Sequence, residues 1–231
     1  MKIPISKRLL CCAQQVKKGA RVADIGCDHG YLGIFLLTQE IASHVVSCDL
    51  REQPLQKAKE NSLRYGTAEH MDFYVADGLC AVEPGSVDTV VCAGMGGDCI
   101  AHILEQAPWV RDPRYTLILQ PQTSGNDLRR YLGENGFAIE QEQLVQDGNF
   151  LYFTIMARYG NGKPLTPGEQ YLSKQLLACG SPLLPAYLER IINALAKTVE
   201  GIRRGGRGGK LDYYETALEQ VLEMRNQYES T

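Results

Sequence analysis

The feature that most constrains this chain is an apolar run that ends in an acid and enters a glycine turn, Val22–Leu32, with the sequence VADIGCDHGYL. The apolar residues predict a strand, and Leu32, Phe35 and Leu36 then have helical spacing. A strand, a tight loop and a helix start bring backbone amides close to a nucleoside ligand. A second apolar run ends in Asp49, where α/β folds place a carboxylate that binds ribose.

The acids in and before the glycine turn indicate which nucleoside ligand is held. The spacing Asp24-x-Gly26-x-x-x-Gly30 differs from the dinucleotide motif, and Asp24 and Asp28 would repel a pyrophosphate. S-adenosylmethionine fits instead, because it carries a sulfonium, an ammonium and a ribose but no phosphate. A third acid, Asp77, follows another apolar run and is placed to accept from an adenine amino group. One such acid is often only a helix cap or turn residue, but three in order predict a donor site.

Composition limits the class of protein. A chain of 231 residues allows one α/β domain with an appendage or two small domains. Without a membrane-length apolar stretch or a signal peptide, we expect a cytoplasmic protein with no membrane partner. The eight cysteines form no C-x-x-C pair and no zinc spacing with histidine, so we expect no metal.

Strand and helix patterns alternate along the first 160 residues. The patterns predict strands near 21–25, 45–49, 72–76, 87–93, 115–120, 137–144 and 150–158, and helices over 4–19, 31–39, 52–65, 97–106 and 126–135. This alternation requires a parallel sheet with helices on both faces. Residues 146–149, QDGN, predict a hairpin turn between the last two strands. The predicted fold class is therefore α/β, a Rossmann-like class I methyltransferase domain over 1–160 whose parallel sheet ends in an antiparallel hairpin.

The composition changes at residues 159–164, YGNGKP, and strand patterns disappear beyond them. Two apolar stripes at alternating spacings of three and four follow: Leu188, Ile192, Leu195, Val199 and Ile202, then Leu211, Tyr214, Leu218, Val221, Arg225 and Tyr228. A glycine-rich segment, 205–209, joins them. The pattern predicts a C-terminal helical coiled-coil hairpin over 161–231. We expect a self-contained appendage on a monomer, with a homodimer through this tail as the alternative.

Two basic clusters stand out against a net charge of −3. One precedes the first acid and includes Lys7 and Arg8; the other comprises Arg203, Arg204, Arg207 and Lys210. Local basic patches on a mildly acidic protein are typical of a surface that docks phosphates. The alternative is a solvated helix face and a flexible loop.

The fourth predicted strand leads into Gly94-Met95-Gly96-Gly97, at the sheet edge that faces donor and acceptor. Glycines permit close approach of a substrate, and free backbone groups can bond a base edge. The alternative is a plain glycine turn capped by Asp98.

Together, DIGCDHGYL at 24–32, AGMGG at 93–97, LQPQ at 119–122 and SKRL at 6–9 resemble the bacterial tRNA (adenine-N1)-methyltransferases that act on adenosine 22. The resemblance covers essentially the whole chain. The family's loop usually reads D-H-A-Y-L, so Gly30 is a departure. The resemblance implies methyl transfer from S-adenosylmethionine to adenine N1 in the D-arm region of tRNA.

Motif position suggests roles for the site residues. Gly26 and Gly30 shape the loop, Asp24 and Asp28 take the methionine end, Asp49 takes the ribose, Leu50 packs on the adenine, and Asp77 with Gly78 reads its amino group. His29 and Tyr31 border the donor pocket and are expected to orient the target base, which lies beside Gly94 and Met95. Asn61 and either Gln120 or Gln122 are weaker candidates for the acceptor side. Lys7, Arg8 and the second basic cluster would contact tRNA.

Adenine N1 has its own lone pair, so the reaction needs alignment rather than a strong base, and Cys92 is interpreted as a packed strand residue. Three other functions stay open at this point. They are a small-molecule methyltransferase with a helical lid or dimerisation tail, a non-catalytic nucleotide-binding or scaffold protein, and an NAD-dependent oxidoreductase.

Overall fold

The computed structural model describes residues 2–205 and 210–230. The strands are β1 (Ala20–Ile25), β2 (Ala42–Asp49), β3 (Met71–Val75), β4 (Thr89–Gly96), β5 (Thr116–Thr123), β6 (Phe137–Asp147) and β7 (Phe150–Tyr159). The helices are α1 (Lys7–Ala13), α2 (Tyr31–Thr38), α3 (Glu52–Tyr65), α4 (Gly97–Glu105), α5 (Gly125–Glu134), α6 (Pro167–Tyr171), α7 (Lys174–Leu177), α8 (Leu184–Gly205) and α9 (Leu211–Glu229).

The strands form one sheet in the order β3-β2-β1-β4-β5-β7-β6. The first five pair in parallel, while β7 runs antiparallel to both β5 and β6. The predicted fold class is thereby confirmed, including the terminal hairpin. The chain order reverses between β1 and β4, and in such sheets ligands bind at the carboxyl ends of the strands beside that reversal.

The sheet is covered on both faces. Every residue of β1 except Arg21 is buried, which is typical of a parallel strand between two helical layers. One apolar cluster joins α1 and α2 to the sheet, with Ala13, Ile34 and Leu36 at its centre. A larger cluster on the other face joins α4 and α5 to the sheet through Ile100, Leu104 and Leu128.

The first helix is shorter than the predicted 4–19. It begins after Ser6, whose hydroxyl accepts from the Leu9 N–H, and ends at Ala13. Beyond it the chain turns to reach the sheet, because Gly19 has φ +83° and its N–H donates to the Ile41 carbonyl at 2.7 Å. The apolar spacing continues beyond Ala13, but the Gly19 N–H bonds to the residue before β2 and not to a helix carbonyl. The helix therefore ends before residue 19.

The C-terminal helices α8 and α9 pack against each other as the predicted hairpin, but this hairpin is not self-contained. Leu184, Leu188 and Leu195 of α8 share one hydrophobic core with Leu128 and Phe153 of the sheet domain. The apolar stripe predicted for α8 is narrower than the face that the structure buries, because Tyr187 and Ile191 are also buried. That wider face packs on the sheet domain as well as on Ala217 and Val221 of α9.

Candidate active site

The loop between β1 and α2 is held by the end of β2. The N–H groups of Gly26 and Cys27 both donate to the Cys48 carbonyl, at 2.8 and 3.0 Å. Three residues of the loop, Gly26, Asp28 and Gly30, have φ between +50° and +72°. Such a turn favours glycine at two of these positions, and it leaves the loop backbone facing the carboxyl edge of the sheet.

Asp24, the acid that ends the apolar run, is buried. Burial raises its pKa to about 7, although the N–H of Gly33 opposes the shift by donating to the carboxylate, and nearby Asp49 raises the pKa further. Its Oδ2 has no hydrogen-bond partner among the described residues. A buried carboxyl group with an open oxygen beside a cavity is suited to an ammonium group, which would stabilise its charged form.

Asp49 is also buried, and its carboxylate is oriented by two backbone amides. Oδ2 accepts from the Asp28 N–H at 3.1 Å and Oδ1 from the Arg51 N–H at 3.0 Å. Each oxygen of a carboxylate has two acceptor sites, so both retain capacity for a ribose hydroxyl. Leu50 beside it is 68% exposed, an open apolar surface next to the carboxylate.

The turn that carries Asp77 lies against the same edge. The Ala76 N–H donates to the Asp49 carbonyl at 3.0 Å, which brings the exposed Asp77 next to the end of β2. Gly78 has φ +55°, and a Cβ there would lie 3.0 Å from Ile103 of α4. The turn therefore lies between β2 and α4. An adenine bound at this edge would lie between Leu50 and Asp77.

A small cavity of about 70 Å³ lies at the end of β1. Its lining residues are Arg8, Leu9, Asp24, Gly26, Cys27, Asp28, His29, Tyr31, Leu32 and Ala93. This cavity is far smaller than a nucleoside, and its lining by Asp24 and the loop suits the ammonium-bearing end of a donor. The nucleoside would extend along the open edge formed by Asp49, Leu50 and Asp77. The residues present therefore fit S-adenosylmethionine in one orientation.

The end of β4 lies beside the glycine loop. A Cβ on Gly26 would lie 2.8 Å from Met95 Cε, so the Met95 side chain covers the loop. Gly94 has φ +84°, and its N–H donates to Gln120 Oε1 at 3.1 Å. The same oxygen accepts from Arg8 Nη1 at 3.1 Å. A Cβ on Gly94 would lie 2.7 Å from Arg8 Nη1, so a side chain there would displace this guanidinium.

Of the remaining residues, Asn61 and Cys92 have structural roles, whereas His29 lies at the mouth of the cavity. Asn61 is buried and its Nδ2 donates to the His29 carbonyl at 3.0 Å, so it holds the loop rather than an acceptor. His29 is half-exposed, and its ring lies 6.2 Å from that of Tyr31 in an edge-on arrangement at the cavity mouth. Cys92 is fully buried, and burial raises the pKa of its thiol, which keeps it protonated and unreactive.

The basic residues divide into exposed and engaged groups. Lys7 is exposed, whereas the Arg8 side chain turns inward, with Nε 3.8 Å from Asp147 Oδ2. In the tail, Arg203 bonds Glu215 and Arg204 bonds Glu200, both on the surface, and Lys210 is exposed. Arg207 lies outside the described residues. Their contact with tRNA stays a prediction.

A buried ion pair was not indicated by the sequence. Arg129 of α5 donates through Nε to Glu142 Oε1 at 2.8 Å, and both side chains are at most 1% exposed. Its Nη1 donates to the Gln170 carbonyl at 3.1 Å, and the Ser173 hydroxyl donates to Glu142. The pair ties the tail to the sheet. No spacing could have identified it, because an arginine on an amphipathic helix usually faces solvent.

Two searches of the described ranges concern membranes and metals. No helix within 2–205 or 210–230 has the length and apolar character needed to cross a membrane. The same residues contain no group of three or more His, Cys, Asp or Glu arranged to hold a metal ion.

The chain is similar in sequence to known methyltransferases. Residues 5–156 match the model of a methyltransferase domain. The chain is similar to the tRNA (adenine(22)-N(1))-methyltransferase of Bacillus subtilis strain 168, at 31% identity over 159 residues, covering 69% of this chain and 67% of that protein.

Two solved structures resemble the whole chain, tail included. A Streptococcus pneumoniae protein, described as a proposed tRNA (m1A22) methyltransferase in complex with S-adenosyl-L-methionine, is 30% identical with a TM-score of 0.79, covering 93% of this chain and 99% of its own. The Bacillus subtilis m1A22 tRNA methyltransferase has the same TM-score at 24% identity and 99% coverage of both chains, a likeness of fold.

Proposed function

Because the chain belongs to the bacterial tRNA (adenine(22)-N(1))-methyltransferase family, we propose that it transfers the methyl group of S-adenosylmethionine to N1 of adenosine 22 in tRNA. The observation that carries the proposal is the Asp49 carboxylate, held by the Asp28 and Arg51 amides beside the cavity of Asp24. Two oriented acids at adjacent strand ends suit a cationic nucleoside donor without phosphate.

The donor is held at two ends. Asp24 offers its unpaired Oδ2 to the ammonium group, and loop residues 26–29 line the same cavity. Asp49 accepts from the ribose hydroxyls, while Leu50 and Asp77 contact the adenine. Bound in this way, S-adenosylmethionine supplies an electrophilic methyl group on sulfur. The short distance between the loop and the end of β4 directs that methyl group toward Gly94 and Met95.

The acceptor needs alignment more than activation. Adenine N1 attacks through its own lone pair, the methyl–sulfur bond breaks, and the positive charge passes from sulfur to the adenine ring. Holding donor and acceptor in line can supply much of the rate enhancement for such a step. His29 and Tyr31 flank the cavity mouth, where the target ring approaches the donor.

The target base must leave its stack or pair in folded tRNA to reach this edge. Exposed Lys7, next in sequence to the site residue Arg8, is placed to contact a phosphate near the target. We also propose that the enzyme acts as a monomer, in the cytoplasm where its tRNA substrate occurs.

The test is transfer of labelled methyl groups to unmodified tRNA, with the nucleosides then resolved by mass spectrometry. We expect N1-methyladenosine that disappears when adenosine 22 is replaced by guanosine. Asp49→Asn should weaken binding of S-adenosylmethionine at least tenfold. The NH2 group of asparagine would face the N–H of Asp28 or Arg51, or the ribose, where the carboxylate oxygen accepts a hydrogen bond. Asp112→Asn is the matched control, because Asp112 also accepts from a backbone amide, that of Arg114, but lies just before β5 at the opposite edge of the sheet.

The outcomes separate the alternatives. Donor binding without methylation of any tRNA would support the small-molecule methyltransferase instead. Methylation at another nucleotide would overturn the assigned position and leave the donor site intact. Absence of donor binding would refute the assignment of the acids.

A further inference from the structure

A second and larger cavity, of about 560 Å³, lies between the end of β5, the β6–β7 hairpin and α8. Its floor includes residues 121–126, which span the end of β5 and the start of α5, and its outer wall includes Arg190 and Ile191 of α8. The volume falls within the range of sites that bind small ligands. None of the donor-site residues described above lines it.

The position of this cavity relates it to the target base. Strand β4 has β1 as one neighbour and β5 as the other, so the donor loop and the cavity lie on opposite sides of Gly94–Gly96. The junction is direct, because Met95 pairs with Pro121 and Gly96 pairs with Thr123. An RNA strand that delivers a base to the end of β4 must continue away from the donor, and the cavity lies on that side.

Aromatic rings dominate the walls. They belong to Phe150, Tyr152, Phe153, Tyr171, Tyr187 and Tyr214. Phe150 is 65% exposed at the start of β7, and its ring centroid lies 6.1 Å from that of Tyr152 at an interplanar angle of 37°. An exposed ring thus lies beside a half-buried one at the cavity mouth, and every nucleobase can stack on such rings.

The charge of the lining favours an anion. Among the described residues no carboxylate lines the cavity, and the charged ones that do are Arg190 and Arg129, the latter balanced by Glu142 from outside the lining. Arg190 is exposed, with its guanidinium 5.2 Å from the centroid of the Tyr187 ring. Arg129 is 1% exposed, and its Nη2 has no hydrogen-bond partner among the described residues. The ten-residue helix α5 also begins here, after Ser124, whose side chain caps none of its amides.

We propose that this cavity binds one nucleotide of the tRNA that adjoins the target adenosine. Its base stacks on Phe150 and Tyr152, and its phosphate faces Arg190 and the first amides of α5. The inference rests on the proposed function, since it takes tRNA as the substrate, and it assigns the segment of tRNA that flanks the target to a site of its own. Aromatic walls together with cations and no acids match a nucleotide better than an apolar or cationic peptide segment.

The test measures tRNA and donor affinity separately. Phe150→Ala and Tyr152→Ala should each weaken tRNA binding about tenfold, as expected when one stacked base loses its ring, with donor affinity unchanged. Arg190→Ala should reduce the slope of log affinity against log salt by about one phosphate contact. Tyr228→Ala and Arg114→Ala are matched controls, because both residues are exposed and lie outside the cavity. Phe150 is so exposed that its removal should not prevent folding.

A second arm identifies the ligand. Transcripts with an abasic site immediately 5′ or 3′ of the target should bind wild-type enzyme about tenfold less tightly for one of the two positions. That same transcript should bind Tyr152→Ala no more weakly than intact tRNA does. Full methylation with unchanged affinity in all three cavity variants would overturn the inference and leave the proposed function standing. Additive losses from the abasic site and Tyr152→Ala would likewise refute the stacking contact. If the wild-type chain methylated no tRNA, the proposed function would fail first.

Discussion

Gly30 tests whether the donor loop depends on close contact with α3. The family's loop usually has alanine at this position, yet here Gly30 has φ +72° and a Cβ would lie 2.9 Å from the Ala58 Cβ. A left-handed conformation costs an alanine roughly 1–2 kcal/mol, and forcing a methyl group into a filled space costs about 1–3 kcal/mol. We therefore expect Gly30→Ala to lower the free energy of unfolding by about 3 kcal/mol.

The cost of the left-handed backbone conformation and the cost of the steric contact can be measured separately within this chain. Gly66 also has φ +72°, but a Cβ there would meet no atom within 4 Å. Gly66→Ala should therefore show the conformational cost alone, about 1–2 kcal/mol. Ala58→Gly, which itself costs about 1 kcal/mol inside a helix, should remove the contact and make Gly30→Ala no worse than Gly66→Ala.

Urea unfolding gives the free energies, and thermal unfolding should show a lower Tm by about 6–12 °C for Gly30→Ala. A double-mutant cycle between positions 30 and 58 should yield a coupling of about 1–2 kcal/mol. If Gly30→Ala cost no more than Gly66→Ala, or if the coupling were zero, the close contact between the loop and α3 would not matter, and the reasoning would be refuted.

Three further predictions concern the acid and basic residues of the site. Burial raises the pKa of Asp24 to about 7, so below that pH the carboxyl group must lose a proton to meet an ammonium. Affinity for S-adenosylhomocysteine should therefore rise between pH 5.5 and 7, by up to roughly tenfold per unit, and calorimetry of Asp24→Asn should show a flat profile; a wild-type profile as flat as that of the variant would contradict this. Lys7→Ala should reduce the salt dependence of tRNA binding by about one contact. Arg8→Ala should instead slow methyl transfer at saturating tRNA, because Gln120, which also accepts from the Gly94 N–H, loses its Arg8 donor; an equal loss of salt dependence would make Arg8 a phosphate ligand.

The tail and the site are connected more closely than a separate appendage would be. Arg129 links α5 to the carbonyls of Gln170 and Tyr171. Its guanidinium also lies over the ring of Phe153, which belongs to the core that α8 covers. The position of α8, and with it Arg190 in the second cavity, therefore depends on contacts with the sheet domain.

The sequence by itself determined the order of elements, the mixed sheet and the strand ends at which Asp24 and Asp49 lie. These follow from local pattern: α3 spans the predicted 52–65, and Asp24 and Asp49 lie at the carboxyl ends of their strands as the apolar runs indicated. In a parallel sheet all such ends meet at one edge, so a local pattern is enough to bring distant acids together.

Only the tertiary structure decided what each side chain contacts. Arg8 bonds Gln120 across 112 residues of sequence, Asn61 holds the His29 carbonyl, and α8 packs on the sheet domain instead of only on α9. The periodicity of a segment reports which of its faces is buried, but it carries no information about the partner. The inward turn of Arg8, the buried Arg129–Glu142 pair and the second cavity all depend on such partners, so they became visible only once the elements were packed together.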